Sequence, residues 1–290
     1  GENLQETVWF RNISRWVAGT DRGDPLESAI RLFDWTVRNI QLDSEPSSQD
    51  GEIPNVILQS PWEALLFGHG PANDRAWIFM LLARQQRLDA ALLGTIDPQD
   101  PEKRRLKPLG VGVLIDQEIY VFDPRAGVPI PGPEGVRLDE GELIIPPATL
   151  SQLATDDSLL RQMDLDAEHS YHLRSSDFQK VVVLMETSPG YLTKRMKLVE
   201  SRLSGENRLV LTAAPTEQAA NFASSPQVVE VRHWERPYQT ILQAIELGRM
   251  RAQWRSAQLL PFYLGSEMTP ALWKGRVYHF KGVFSGDPNA

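Results

Sequence analysis

Cysteine is missing from all 290 residues, so the chain offers no thiolate nucleophile, no thiol metal site and no disulfide of its own. Long apolar runs are missing as well. No stretch approaches the roughly 20 consecutive apolar residues that span a bilayer, and no charged-then-apolar leader stands at the start. Basic charge is in deficit, with 30 Lys and Arg against 38 Asp and Glu and a net charge of −8. With no basic tract to offset it, that balance disfavours non-specific attraction to nucleic acid or to anionic lipid. What the chain does have is 41% hydrophobic residues, enough for the core of a globular protein of one large domain or two ordinary ones.

The most informative stretch is Gly68-His69-Gly70-Pro71-Ala72-Asn73-Asp74-Arg75-Ala76, which runs straight into the apolar sequence Trp77-Ile78-Phe79-Met80-Leu81-Leu82. Two glycines and a proline ahead of an apolar helical run predict a tight turn that delivers the N-terminus of a buried helix. Backbone N–H groups are unpaired there and the helix dipole is positive, so such a turn is a good mount for a nucleophile or an anion. The residue on the turn is Ala72, which has no chemistry to offer.

The pattern Gly-x-Gly-x-Cys-x-Asp-x-Ala before an apolar helix resembles the nucleophile segment of the transglutaminase-like superfamily, one of the papain-like folds. Gly68, Gly70, Asp74 and Ala76 match it, and Ala72 stands where that family has its cysteine. The stretch Leu32 to Ile40 resembles the helix that precedes the nucleophile turn in the family, and Asp123-Pro124 resembles the end of the strand that carries the triad's aspartate. Counting back from Asp123, the family's histidine position falls near Pro108. The resemblance thus implies a degenerate site in which Ala72 and Pro108 replace the cysteine and the histidine and only Asp123 remains. It implies the scaffold, and a ligand class of extended peptide or protein partner, but no thiol chemistry.

The rest of the chain reads as follows. Leu4 to Ala18 is predicted helical, and so is the segment opened by Asp24 as N-cap and Pro25, with Leu26, Ile30, Phe33, Val37 and Ile40 on one face. Leu42 to Ile53 and Asp97 to Lys107 read as loops, and Pro61 to Phe67 as a short helix. Ala90 to Leu93 reads as a strand, while Val111 to Ile115 and Ile119 to Phe122 alternate as a hairpin across Asp116-Gln117. Gly127 to Pro147 is rich in Gly and Pro, which places a domain boundary near residue 148. Beyond it come a helical stretch from Leu150 to Met163, a strand at Val181 to Met185, and a helix from Tyr191 to Leu203. Strands at Leu209 to Leu211 and Val228 to Val231 flank a helix at Glu217 to Phe222, and a long amphipathic helix beyond Pro237 precedes a last helix at Ala271 to Phe284.

The expected architecture is α+β. Residues 1–148 form a transglutaminase-like, papain-like half with helices packed on a small antiparallel sheet, and residues 149–290 form an α/β part of unassigned type. The candidate binding residues are His69, Gly70, Asp74 and Asp123. For Asp74 the expected role is a first-turn carboxylate favoured by the helix dipole. For Asp123, with no histidine to orient, the expectation is bonding to local backbone N–H groups or to Arg125. His169 and His172, after Asp164, Asp166 and Glu168, form a weak metal-ligand pattern in which solvated polar residues are the expectation, so no metal or cofactor is assigned. Trp16, Trp35 and Trp77 read as core, whereas Trp234, Trp254 and Trp273 are available for a ligand platform.

These readings favour a non-catalytic binding or structural module over an enzyme. The alternative is a hydrolase of amide bonds that uses a metal- or water-based site, for instance with His69 and Asp123. The Gly1 start reads as a processed or truncated product, and with the family resemblance it tilts the expected location towards a bacterial exported protein, periplasmic or at the cell surface.

Overall fold

The structure is a computed structural model that describes residues 2–19, 23–43, 57–96, 106–139, 141–263 and 271–284. Most of the two expected loops, Leu42 to Ile53 and Asp97 to Lys107, lies outside the described residues. The first half contains α1 (Glu2–Ala18), α2 (Pro25–Asn39), β1 (Gln41–Leu42), α3 (Pro61–Phe67), β2 (His69–Gly70), α4 (Ala72–Gln85), β3 (Asp89–Ile96), β4 (Leu106–Ile115), β5 (Glu118–Asp123) and the short strands β6 (Val128–Pro129), β7 (Arg137–Asp139) and β8 (Glu142–Ile144). The second half adds α5 (Leu150–Thr155), α6 (Asp157–Arg161), β9 (Val181–Met185), α7 (Lys194–Glu200), α8 (Pro215–Ala223), β10 (Val228–His233), α9 (Arg236–Leu247), α10 (Arg249–Tyr263) and α11 (Ala271–Phe280).

The local signals explain the early helices. Asp24 caps α2 by accepting from the Leu26 N–H at 3.0 Å, and Pro25 sits where a helix has no N–H to lose. Ser60 and Glu63 form a capping box on α3, which ends at Gly68 in the left-handed region (φ +75°). A helix that is apolar on every side must be enclosed, and α4 is: every residue from Asp74 to Arg84 is buried. It lies between α1, α2 and α3 and the sheet strands β3 and β4.

The fold is α+β with one mixed six-stranded sheet in the order β10-β9-β3-β4-β5-β6. Strands β3, β4, β5 and β6 are antiparallel, β9 joins β3 antiparallel, and β10 is parallel to β9. Alternation along the strands sends Leu92, Val111 and Val113 to the helical core with α4, and Leu93, Ile119, Val121 and Val183 to a second core covered by Leu150, Leu153, Leu160 and Phe222 of α5, α6 and α8. The sheet therefore continues across residue 148, where composition points to a boundary: β9 and β10 come from the second half, and β9 pairs onto β3. Glycine and proline there mark the irregular course from β6 to α5. A strand buried on both faces, such as β3, still has a backbone edge to satisfy, and β9 satisfies it.

Several elements differ from their sequence readings. Leu209 and Leu211 are buried but belong to no strand, and the helix expected from Tyr191 to Leu203 is the shorter α7 after a 3-10 turn at Pro189–Tyr191. The stretch from Leu150 to Met163 divides into α5 and α6 at Asp156, whose side chain caps α6. Gly248 (φ +46°) divides the long C-terminal helix into α9 and α10. Trp234 is buried edge-on against Trp77 at 5.5 Å, and Trp273 packs against Trp9, Trp62 and Tyr263, so these rings fasten the C-terminal segments to the first half. Trp16, read as core, is half-exposed and covered by Phe284.

Phe79 of α4 is fully buried and meets Phe33 of α2 and Phe122 of β5 edge-on, each at 5.1 Å, joining helix layer to sheet. Phe79→Ala is expected to cost about 3–5 kcal/mol of unfolding free energy. Urea denaturation checks this; a loss under about 1 kcal/mol would mean that the joint carries little of the stability.

Candidate functional site

The site begins at the turn between α3 and α4. Gly68 ends α3, its carbonyl accepts from the Gln41 N–H at 2.8 Å, and the Gly70 carbonyl accepts from the Asp43 N–H at 3.0 Å, so the turn is held as a strand beside β1. Gly70 leaves room for Asp74: a Cβ at that position would lie 2.9 Å from the Asp74 carboxylate. In the first turn of α4 the N–H groups of Asp74 and Arg75 return to the Pro71 carbonyl. Among the described residues, those of Ala72 and Asn73 have no partner.

Arg75 fixes the far wall. Its guanidinium donates to the Ile40 carbonyl at 2.7 Å and to the Pro124 carbonyl at 3.1 Å, which draws the end of β5 against the start of α4. A cavity of about 300 Å³ results, bordered by Ala72, Pro108 and Asp123 together. Apolar Ala76, Leu92, Leu109 and Leu173 complete the lining with polar Asn73, Lys107, Arg125 and His172.

Asp123 has its hydrogen-bonding capacity engaged. Oδ1 accepts from the N–H groups of Arg125 (2.7 Å) and Ala126 (3.1 Å), and Oδ2 accepts from the Tyr171 hydroxyl at 2.6 Å. Burial, reinforced by the Asp123 charge, raises the Tyr171 hydroxyl far above its usual range, so it stays a donor. Burial lowers His172 from its ordinary value against the opposing pull of Asp123, which favours the neutral imidazole. The Lys107 ammonium is shared between Asp177 at 2.8 Å and the His172 carbonyl at 3.3 Å.

Compared with known protein families, with curated proteins and with solved structures, the chain matches none. The site must be read from its own geometry.

That geometry separates the sequence candidates. Ala72, Pro108 and Asp123 meet at one cavity, whereas His69, Gly70 and Asp74 are not in its lining. His69 pairs instead with Asp43 at 2.9 Å. Asp74 stands in the first turn of α4 as expected, but it is buried rather than exposed and is ion-paired with Arg236 of α9 at 2.7 Å. His169 and His172 lie in an irregular segment rather than on a helix face. His169 bonds Asp166 in the exposed loop, and among the described residues no three His, Asp or Glu side chains form a metal-ligand group. His233 and His279 are engaged elsewhere, with Thr187 and Asn39. His172 lines the Asp123 cavity and the Tyr171 hydroxyl bonds Asp123, roles the sequence reading misses. Their signal is only an aromatic and an imidazole after an acidic loop, and nothing in it points to Asp123.

Burial pushes the Asp74 carboxyl up from 3.8 to about 6, with Arg236 pulling the other way. A carboxyl raised on folding adds stability that is complete below its unfolded value and lost as pH rises through its folded value, here the window from about 4 to about 6. Arg236→Ala leaves the carboxylate buried without its cation, at an expected cost of about 3–5 kcal/mol at pH 7.5. At pH 5 the penalty shrinks, because Asp74 then takes up a proton. Chemical denaturation of both proteins at the two pH values checks this, and an equal penalty at both would show that Arg236 serves something other than Asp74.

Proposed function

We propose that the chain carries a transglutaminase-like domain that no longer catalyses, and that the cavity bordered by Ala72, Pro108 and Asp123 is a cleft for an extended peptide or a segment of a protein partner. The observation that carries this reading is the meeting of three positions, far apart in sequence, that a family pattern matches separately to a triad. Tyr171 supports it further: its hydroxyl donates to Asp123, the partner that a triad histidine would otherwise have. The lining suits a peptide, with apolar Ala76, Leu92 and Leu109 for a side chain and the unpartnered amides of Ala72 and Asn73 for a carbonyl oxygen.

Because the chain has no cysteine, Ala72→Cys introduces a single thiol and makes the cleft directly readable. The expected thiol titrates below about 8.5, since it stands at a helix N-terminus, and reacts readily with iodoacetamide. Members of a randomised peptide pool that occupy the cleft slow that alkylation, while the unaltered protein leaves glutamine-containing peptides intact. An unreactive thiol at position 72 of the folded variant, or alkylation that no peptide slows, overturns the reading.

His172 favours a second reading, a hydrolase in which a neutral imidazole in the cavity activates water beside Asp123. It requires amide hydrolysis by the unaltered protein and a loss of about 10²–10⁴-fold in His172→Ala. Absence of turnover on the same peptides leaves the binding reading.

A further inference from the structure

A second cavity, of about 440 Å³, lies on another part of the molecule and is lined by four arginines: Arg11, Arg15, Arg87 and Arg208. They come from α1, from the residue after the C-cap of α4, and from the segment that follows the Gly205–Asn207 turn. Arg11 and Arg15 are one helical turn apart, and backbone carbonyls hold their guanidinium groups. Arg11 donates to Glu206 O at 3.1 Å and to the Asn12 side chain, and Arg15 donates to Glu206 O at 2.6 Å and Gly205 O at 3.3 Å. Among the described residues none of the four is ion-paired with an Asp or Glu side chain, although acidic residues outnumber basic ones in the chain. The lining contains one carboxylate, that of Glu206.

The charges are gathered at a cost. Burial, followed by the charge of Arg15, holds Arg11 below the usual guanidinium range. Arg87 has a left-handed backbone (φ +62°), in the place after a helix end where glycine is the favoured residue. Attraction to the negative end of a helix accounts for Arg15 at the end of α1 and for Arg87 after α4. It does not account for Arg208, or for Arg11 further back on α1 beside a like charge.

We propose that this cavity binds a small molecule through a tetrahedral oxyanion group, phosphate or sulfate. Guanidinium forks donate paired N–H groups to such oxygens, and several forks around one void satisfy a multiply charged group that a lone lysine would meet only as a point charge. This proposal is independent of the peptide cleft, since the two cavities share no lining residue.

The test is calorimetric titration of the intact protein with inorganic pyrophosphate, sodium sulfate, citrate and chloride at matched ionic strength, beside Arg87→Gln and Arg208→Gln. Both side chains are exposed, so neither replacement opens a core. Saturable binding of pyrophosphate or sulfate, about 10- to 100-fold weaker in each variant, is expected, because each loses one charge-assisted contact. Inorganic phosphate titrated beside sulfate, two single tetrahedral groups of similar charge, distinguishes the source of the group, and Arg87→Lys recovers only part of the loss. Heats that citrate or chloride reproduce, affinity unchanged in both glutamine variants, or no binding at all overturn the proposal.

Discussion

The structure depends on the pairing of charge inside an enclosed helix. α4 is buried from Asp74 to Arg84, yet it carries an acid in its first turn and a base in its last. That arrangement agrees with the helix dipole, but buried charges need partners as well as a favourable dipole. Asp74 has Arg236 from α9, and Arg84 has Glu186, just beyond β9, at 2.6 Å. Both partners come from the second half of the chain, so the central helix of the first half is complete only when the second half is in place. Glu63 of α3 follows the same rule, with Arg251 of α10 at 2.7 Å.

That constraint positions the site. With α3 held by Arg251 and α4 by Arg236, the glycine turn between them has little freedom, and Arg75 then fastens the end of β5 to the start of α4. The cavity at Ala72 is thus a consequence of buried ion pairs and carbonyl bonds rather than of any group within it. The polar contacts that hold its walls are made by residues other than Ala72 and Pro108.

The two cavities differ in how charge is treated. Around Asp123 the charged groups have protein partners: two backbone amides and a tyrosine on the carboxylate, Asp177 on Lys107. Around Arg11 and Arg208 the guanidinium groups gather without carboxylate partners among the described residues. The first environment thus leaves its carboxylate and ammonium compensated, whereas the second gathers positive charge with one carboxylate, that of Glu206, in its lining.

The sequence by itself determined the local features, because their causes are local. Asp24 and Pro25 set the start of α2, Ser60 and Glu63 the start of α3, and the apolar run after Pro71 the enclosed helix. Alternation at Val111, Val113, Ile119 and Val121 marks the hairpin, since a strand shows its two faces within four residues. No local pattern of residues predicts that Ala72, Pro108 and Asp123 line one cavity, whereas Asp123's bonds to Arg125 and Ala126 follow from its place at a strand end. Tertiary structure alone decided the rest. Whether Asp74 faces solvent or Arg236, whether β9 extends the first sheet, and which hydroxyl reaches Asp123 depend on residues dozens to more than a hundred positions away. The arginine cavity is the sharpest case: an acidic chain shows no basic tract, because the four residues that concentrate positive charge come together only through the packing of α1, the end of α4 and the segment near Arg208.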